Sequence, residues 1–241
     1  MNKKRRFFII LLLILLLFIS VCSGILFGSV NVGFSDIWAV LTAKDTSSTA
    51  CTLLKTVRIP RVFGGLFAGV GLACAGVILQ GVMNNSLASP NTIGVNSGSG
   101  FAVMLAIIFC PANSTALPIF AFLGALLTTL AIFLLASLSD SSRTTIILAG
   151  ITVSTFLNAA INTVKLLDTD ITINLTSFLI GTLSGLTAQR ILLPGFCIIG
   201  AFLLAMLLSV PLNLLGLGDD IAHSLGLHVS LTRFLLLVLS S

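Results

Sequence analysis

Four long stretches of this chain carry no Asp, Glu, Lys or Arg: residues 7–35, 62–139, 144–164 and 191–218. A helix needs about 20 consecutive apolar residues to cross the hydrocarbon core of a bilayer, so each stretch holds at least one span. The second stretch runs for 78 residues and is interrupted at 84–91 and 110–114 by clusters of Asn, Ser and Pro, which read as turns; it therefore divides into three helices. The predicted spans are 7–28, 62–82, 93–110, 115–138, 145–167 and 191–209, followed by a partial one at 231–241 that is too short to cross. The expected fold is an all-α polytopic membrane protein, a single transmembrane domain over 1–241 with six complete helices and the start of a seventh. By this reading the domain is incomplete at its C-terminus. Composition agrees: 57% hydrophobic, 8% charged and a mean hydropathy of +1.19, where a soluble domain carries about 25% charged residues. A soluble enzyme, a disordered chain and a disulfide scaffold are excluded.

The net charge of +5 comes from few residues, and no Lys/Arg stripe exists beyond 3–6, so no nucleic-acid partner is expected. Orientation rests on that N-terminal cluster. Lys3, Lys4, Arg5 and Arg6 precede the first span and place the N-terminus in the cytoplasm. With them, Arg143 and Arg233 are inside, while Lys44, Lys55, Arg58, Arg61, Lys165 and Arg190 fall outside, an even balance that leaves the cluster to decide. Residues 29–61, 111–114 and 168–190 are then external, and 83–92, 139–144 and 210–230 cytoplasmic. The first span is read as an uncleaved helix; the alternative is a signal peptide, with Cys22 after Ile19-Ser20-Val21 in a weakly lipobox-like setting.

Catalytic chemistry finds little support. No Gly-Lys dipeptide occurs, so no P-loop is present to bind and hydrolyse ATP, and no cofactor is expected. His223 and His228, five apart in the loop at 210–230, offer neither an intramembrane Ser/His pair nor a zinc site and read as solvated loop residues. The five cysteines form no CxxC pair and read as small buried hydrophobes, with a Cys51 to Cys110 bridge as the alternative in an oxidising compartment.

Two patterns within the spans carry more information. Gly65 and Gly69 form a GxxxG in the second span, and Gly94 and Gly98 repeat the spacing at the start of the third; small residues let helices approach closely in lipid, so helix packing explains them. In the fifth span Ser154, Thr155, Asn158, Asn162 and Lys165 recur every three to four residues, which sets them along one helical face. Polar residues inside a membrane face protein or water. The stripe is either an interhelical hydrogen-bonding face or the wall of a translocation path with Lys165 near its external mouth.

Three segments, in order, resemble the permease family of bacterial binding-protein-dependent ABC importers for iron-siderophores, haem and vitamin B12, the FecCD family. Val57-Arg58-Ile59-Pro60-Arg61, leading to Gly76-Val77-Ile78-Leu79-Gln80-Gly81, is similar to the family's R-[LI]-P-R start and G-x-x-x-Q helix end. Asn85-Ser86-Leu87-Ala88-Ser89-Pro90-Asn91-Thr92-Ile93-Gly94-Val95 resembles its N-P-L-A-x-P-x-x-L-G turn, with Ser86 in place of the proline. Leu215-Gly216-Leu217-Gly218-Asp219-Asp220-Ile221-Ala222-His223-Ser224-Leu225-Gly226-Leu227 resembles its L-G-E-E-x-A-x-x-L-G cytoplasmic loop, with two aspartates for the usual glutamates.

The resemblance implies a non-enzymatic permease subunit in the bacterial cytoplasmic membrane that moves an iron-siderophore or related metal chelate inward. Its partners are a cytoplasmic ABC ATPase that binds the ATP, an extracytoplasmic substrate-binding protein, a second permease copy or paralogue, and membrane lipid. Gly218, Asp219, Asp220, Ala222, Leu225 and Gly226 are then expected in the loop that seats on the ATPase. Asn85, Leu87, Ala88, Pro90 and Gly94 form a cytoplasmic turn. Arg58 and Arg61 pair with acidic residues of the binding protein, or, on the alternative reading, snorkel at the helix start. Family members continue to about ten spans, so the chain matches the first two thirds of one and is expected to be inactive in transport alone. An ATPase-independent channel or carrier, which intramembrane acids favour, and a non-transporting membrane fragment are the competing readings; the six spans contain no acid.

Overall fold

The computed structural model describes residues 3–28, 33, 38, 40, 42, 49–110, 116–138 and 142–241. The predicted external loop at 111–114, residues 139–141 of the predicted loop 139–144, and Lys44 lie outside the described residues. Among those described, the secondary structure is helical without strands: α1 (Lys3–Leu26), α2 (Thr49–Leu53), a π turn (Leu54–Arg58), α3 (Ile59–Met83), α4 (Pro90–Ile93), α5 (Val95–Phe109), α6 (Ala116–Ser137), α7 (Arg143–Leu167), α8 (Thr169–Ile180), α9 (Ala188–Leu207), α10 (Ser209–Gly216), α11 (Asp219–Ser224) and α12 (Val229–Ser240). Among the described residues five stretches are long and apolar enough to cross a membrane: Lys3–Leu26, Thr49–Met83, Ala116–Ser137, Arg143–Leu167 and Ala188–Leu207. Within a helix the backbone polar groups pair with one another except at its two ends, which is what hydrocarbon demands.

Three departures from the predicted spans have local causes. The 93–110 span is a 15-residue helix, Val95–Phe109, rising about 22 Å at about 1.5 Å per residue against a hydrocarbon core of about 30 Å. It is short because Gly94, at φ +88°, breaks it from α4; the left-handed region suits a residue without Cβ. The stretch 168–190, read as loop, contains α8: the Asp168 carboxylate accepts from the backbone N–H of Asp170 at 2.8 Å and of Ile171 at 3.1 Å, an N-cap that starts a new helix one residue after α7 ends. The second span begins earlier than 62, since helix runs from Thr49 to Met83. The π turn at Leu54–Arg58 lies just before Pro60, whose missing N–H and bulky ring disrupt the regular ladder of the preceding turn.

The chain forms two packed units, Met1–Gly69 with Leu183–Ile198, and Val70–Thr182 with Ile199–Ser241. In the first, Gly64 lies against the Leu186 side chain and Gly195 against Phe67, whose ring a Cβ would meet at 3.1 Å. In the second, two apolar clusters form. One gathers Ile78, Leu79, Val82 and Met83 of α3, Ile132 and Ala136 of α6, Ile146 of α7, Leu215, Ala222, and Leu236 and Leu237 of α12. The other joins Val103 and Met104 of α5 to Ile161 of α7 and Leu175 of α8. Glycines set the helix spacing between them. A Cβ on Gly150 would stand 2.9 Å from the Ile93 carbonyl oxygen, and one on Gly98 would collide with Thr128 and stand 2.8 Å from the Gly124 carbonyl oxygen.

The two GxxxG pairs therefore differ. Gly94 and Gly98 are at backbone-to-backbone crossings, whereas Gly65 meets only the tip of Leu183 at 3.6 Å and Gly69 has nothing within 4 Å among the described residues. Gly98→Ala is expected to lower stability by about 1–3 kcal/mol, the usual cost of overpacking, read as a fall in melting temperature in detergent. Gly69→Ala should leave it unchanged or slightly raised, because alanine is the better helix former by about 1 kcal/mol.

Candidate functional site

The turn between α3 and α4 is built by asparagines. Asn84 takes φ +48°, and the Asn85 N–H donates to the Gln80 carbonyl at 3.1 Å, closing α3 with the six-to-one bond of a left-handed cap. The Asn85 side-chain oxygen accepts from the Leu87 N–H at 2.9 Å, an Asx turn. This fixes the turn without a proline at position 86. Ala88 is buried in the apolar cluster, while Leu87 is 80% exposed. Pro90 opens α4, a position where its missing N–H costs nothing.

This turn lies against α7. Gly94 and Gly150 make the close approach, Ser154 donates back to the Gly150 carbonyl at 2.7 Å, and a cavity of about 320 Å³ opens between Asn85, Leu87, Ala88 and Asn91 on one side and Ile147, Ile151, Ser154 and Thr155 on the other. Further along α7, Asn158 donates to the Ser97 hydroxyl of α5 at 3.1 Å. Thr155, Asn158 and Asn162 remain exposed and Lys165 is half-buried. Of the predicted stripe, Asn158 makes the interhelical bond, to Ser97, Ser154 bonds within its own helix, and Thr155, Asn158 and Asn162 leave polar surface uncovered among the described residues. Sequence reading missed that Ser97 and Asn91 extend the surface; Asn91 accepts from the Asn96 side chain. Their signal was present as a second polar spacing, 91, 96 and 97, at the start of the third predicted span.

The loop predicted at 210–230 holds two short helices, α10 and α11, and begins α12. Gly218 at φ +116° and Gly226 at φ +84° bracket α11, conformations that need glycine. One side of α11 faces inward: Ala222 is fully buried, and the Asp219 carboxylate accepts from Arg143 at 2.9 Å and from Arg233 at 2.8 Å. Arg143 also donates to the Leu215 carbonyl at 2.7 Å. The other side, with Asp220, Ile221, His223 and Leu225, is exposed, next to a recess of about 710 Å³ lined by Asp220, His223, His228 and Arg233 among others. So of the two adjacent aspartates Asp219 is drawn toward the bundle by two arginines, its side chain still 41% exposed, while Asp220 carries no such tie among the described residues and is exposed. Arg143 and Arg233 were read from the sequence only as topology markers; the available signal was that, beyond the N-terminal cluster, they are the cations that the predicted topology sets on the same side as the loop containing Asp219.

Arg58 and Arg61 also separate. Arg58 is 6% exposed and donates to the carbonyls of Ile25 and Leu26, both at 2.9 Å. It therefore caps the C-terminus of α1, where orphan carbonyls and the helix dipole favour a cation, a role that neither docking nor snorkelling described. A Cβ on Gly28 would stand 2.6 Å from the Arg58 guanidinium, so glycine there leaves room for it. Arg61 is exposed. None of the five cysteines is joined in a disulfide; Cys51 is buried as expected, whereas Cys22, Cys74 and Cys110 are half-buried and Cys197 is exposed, because the helices that carry them, or end at Cys110, turn those positions outward in this chain.

Two outcomes follow from these contacts. Arg58→Gln should lower stability by about 2 kcal/mol through loss of charge-assisted hydrogen bonds, measured by thermal melting in detergent, while Arg61→Gln leaves it unchanged. At Asp219 burial pushes the carboxyl pKa up, but the hydrogen bond and charge of Arg233, with those of Arg143, outweigh it and hold the group below its ordinary value. A lowered folded-state pKa contributes stability that is present above the unfolded value and lost as pH falls through the folded one. The melting-temperature deficit of Asp219→Asn is thus expected to be constant from pH 8 to near the ordinary carboxylate pKa of about 3.9 and to close only below it.

Comparison with known proteins places this arrangement. The chain is 32% identical over 231 residues to the ferric enterobactin transport system permease protein FepG of Escherichia coli (strain K12), covering 93% of this chain and 69% of FepG. It is 30% identical over 228 residues to the Fe(3+)-citrate import system permease protein YfmD of Bacillus subtilis (strain 168), covering 91% and 68%. To the hemin transport system permease protein HmuU of Yersinia pestis it is 29% identical over 220 residues, covering 89% and 65%. The chain thus spans about two thirds of the length of these relatives. A solved inward-facing structure of a metal-chelate type ABC transporter superposes with a TM-score of 0.83 at 28% identity, covering 96% of this chain and 72% of that one. With the family model of the FecCD transport family matching residues 12–241, the chain belongs to that family of membrane-spanning ABC importer permeases.

Proposed function

We propose that this protein is the membrane path of an importer for a ferric chelate, working with a separate ATPase inside and a binding protein outside. The observation that carries the proposal is the match, over nine tenths of the chain, to permeases whose names specify Fe(3+)-citrate and ferric enterobactin. ATP chemistry belongs to the partner, since this sequence has no P-loop. The N-terminus is cytoplasmic, as the Lys3 to Arg6 cluster argues, which puts α11 inside and Arg61 outside.

Roles follow residue by residue. The exposed side of α11 and its following turn, with Gly218, Asp220, Leu225 and Gly226, seats on the ATPase; Ala222 and Asp219 hold it to the bundle. Thr155, Asn158, Asn162 and Lys165 line the path, where a large polar chelate meets many weak hydrogen-bonding partners. The turn of Asn85, Leu87, Ala88, Pro90 and Gly94 forms the wall of that path opposite Ser154 and Thr155 at its cytoplasmic end. Exposed apolar and polar surface on α7 is met by a second permease copy or paralogue across the path, and the outer apolar faces by lipid.

Arg61 is the docking cation, a planar fork suited to a carboxylate of the binding protein. Reconstitution of the permease with its ATPase in liposomes, binding protein outside, should give ATP-dependent uptake of radioactive iron offered as ferric citrate, ferric enterobactin or haemin. Vigorous ATP hydrolysis with none of the three imported would sink the cargo assignment. In the same system Arg61→Glu is expected to weaken binding-protein association about tenfold, about 1.4 kcal/mol, without loss of melting temperature. Unchanged association would remove Arg61 from the docking surface.

A further inference from the structure

We propose that the Arg143–Asp219–Arg233 cluster is a mechanical clamp that makes α11 and α7 move as one body, with Asp219 as its positioning residue. The inference rests on the reading above in two respects, that the exposed side of α11 is where the ATPase pushes and that α7 lines the path. Everything else is geometric. Arg143 is the first residue of α7. Its guanidinium holds the Leu215 carbonyl at the end of α10 at 2.7 Å and Asp219 at the start of α11 at 2.9 Å. Arg233, on α12 and 2% exposed, reaches both oxygens of the same carboxylate at 2.8 Å.

Without these bonds α11 would be held mainly by Ala222, a single methyl group in the apolar cluster. Dispersion contacts of that kind are non-directional and let a six-residue helix slide. Charge-assisted hydrogen bonds from two directions fix both its position and its angle. The far consequence is along α7, a single helix from Arg143 to Leu167 that carries the polar residues Ser154 to Lys165. A shift of α11 is therefore delivered at the foot of the helix that lines the path.

The test is the ratio of iron imported to ATP hydrolysed by the assembled, reconstituted complex, with ferric citrate, ferric enterobactin or haemin as probe. Asp219→Asn and Arg143→Gln are expected to keep ATP hydrolysis but lower the ratio by about tenfold, within the usual span of coupling between sites. Asp219→Glu, which keeps the charge, should retain most of it. A purely structural role would instead lower assembly and leave the ratio of the surviving complexes unchanged, and that result overturns the proposal.

A second measurement leaves the clamp intact. Spin labels on Ser224 of α11 and Leu148 of α7, both exposed, should keep one narrow distance with and without vanadate-trapped nucleotide; a distance that changes on trapping overturns the clamp even if the variants fail to assemble. The two readings fail separately. A label at Ser224 that never approaches the ATPase refutes the contact assigned to α11, and hydrolysis without import refutes the cargo, while the distance between the two labels still decides the clamp.

Discussion

Backbone meets backbone at two crossings in the larger unit, Gly94 with Gly150 and Gly98 with Gly124, and the candidate site depends on them. In hydrocarbon the helices gain nothing from excluding water, so association is set by how closely atoms can approach. At these crossings the absence of a Cβ lets α4 and α5 lie directly on α7 and α6. The consequences are local and chemical. Ser97 comes within hydrogen-bonding distance of Asn158, the α3–α4 turn forms one wall of a cavity whose other wall is α7, and polar groups that would each be costly alone in lipid find one another.

The same spacing rule explains what the sequence disclosed and what it withheld. Charge-free stretches located the long helices to within a few residues at most ends, because burial of charge in lipid is a property of composition and needs no knowledge of contacts. The glycine pairs were legible only as a motif: 65/69 and 94/98 have identical spacing, and nothing in the string distinguishes the pair that touches from the pair that does not. The α8 helix was hidden because 169–180 mixes Thr, Asn and Asp with apolar residues; its start is set by the capping geometry of Asp168. The break at 84–91 was legible as a cluster of Asn, Ser and Pro, yet the physical reason the turn holds without a proline at 86 is the Asn85 side chain, which the pattern alone assigned no task.

Charges show the sharpest limit of sequence reading. Arg143 and Arg233 each counted only as one positive unit beside a span, in an even balance of six against six that gave them little meaning, and Arg58 was read as a docking or snorkelling cation. Their partners lie 32 or 33, 76 and 14 residues away in the chain, separations that no local pattern encodes. Arg58 and the Asp219 clamp solve one problem with one chemistry. A guanidinium presents several donors in a fixed plane and cannot shed its proton, so once dehydrated it must find acceptors. Arg58 finds the orphan carbonyls at the end of α1; Arg143 and Arg233 find a carboxylate and, for Arg143, one more helix-end carbonyl.

That difference in acceptor decides what each arginine can do. Carbonyls at a helix end are part of the helix and move with it, so Arg58 ties the π turn to α1 and adds no independent part. Asp219 stands instead on a helix of six residues, too short to be stable by its own hydrogen bonds. Of the three groups only Arg233, 2% exposed, is taken almost wholly out of water, and burying an arginine is costly unless its carboxylate partner is in register. The cost is what makes the arrangement discriminating: a small rotation of α11 would cost Arg233, almost wholly buried, its hydrogen bonds to both oxygens of the Asp219 carboxylate. The position of α11 is thus held within narrow limits against α7 and α12, and a force applied to its exposed side is resisted at Arg143, where α7 begins.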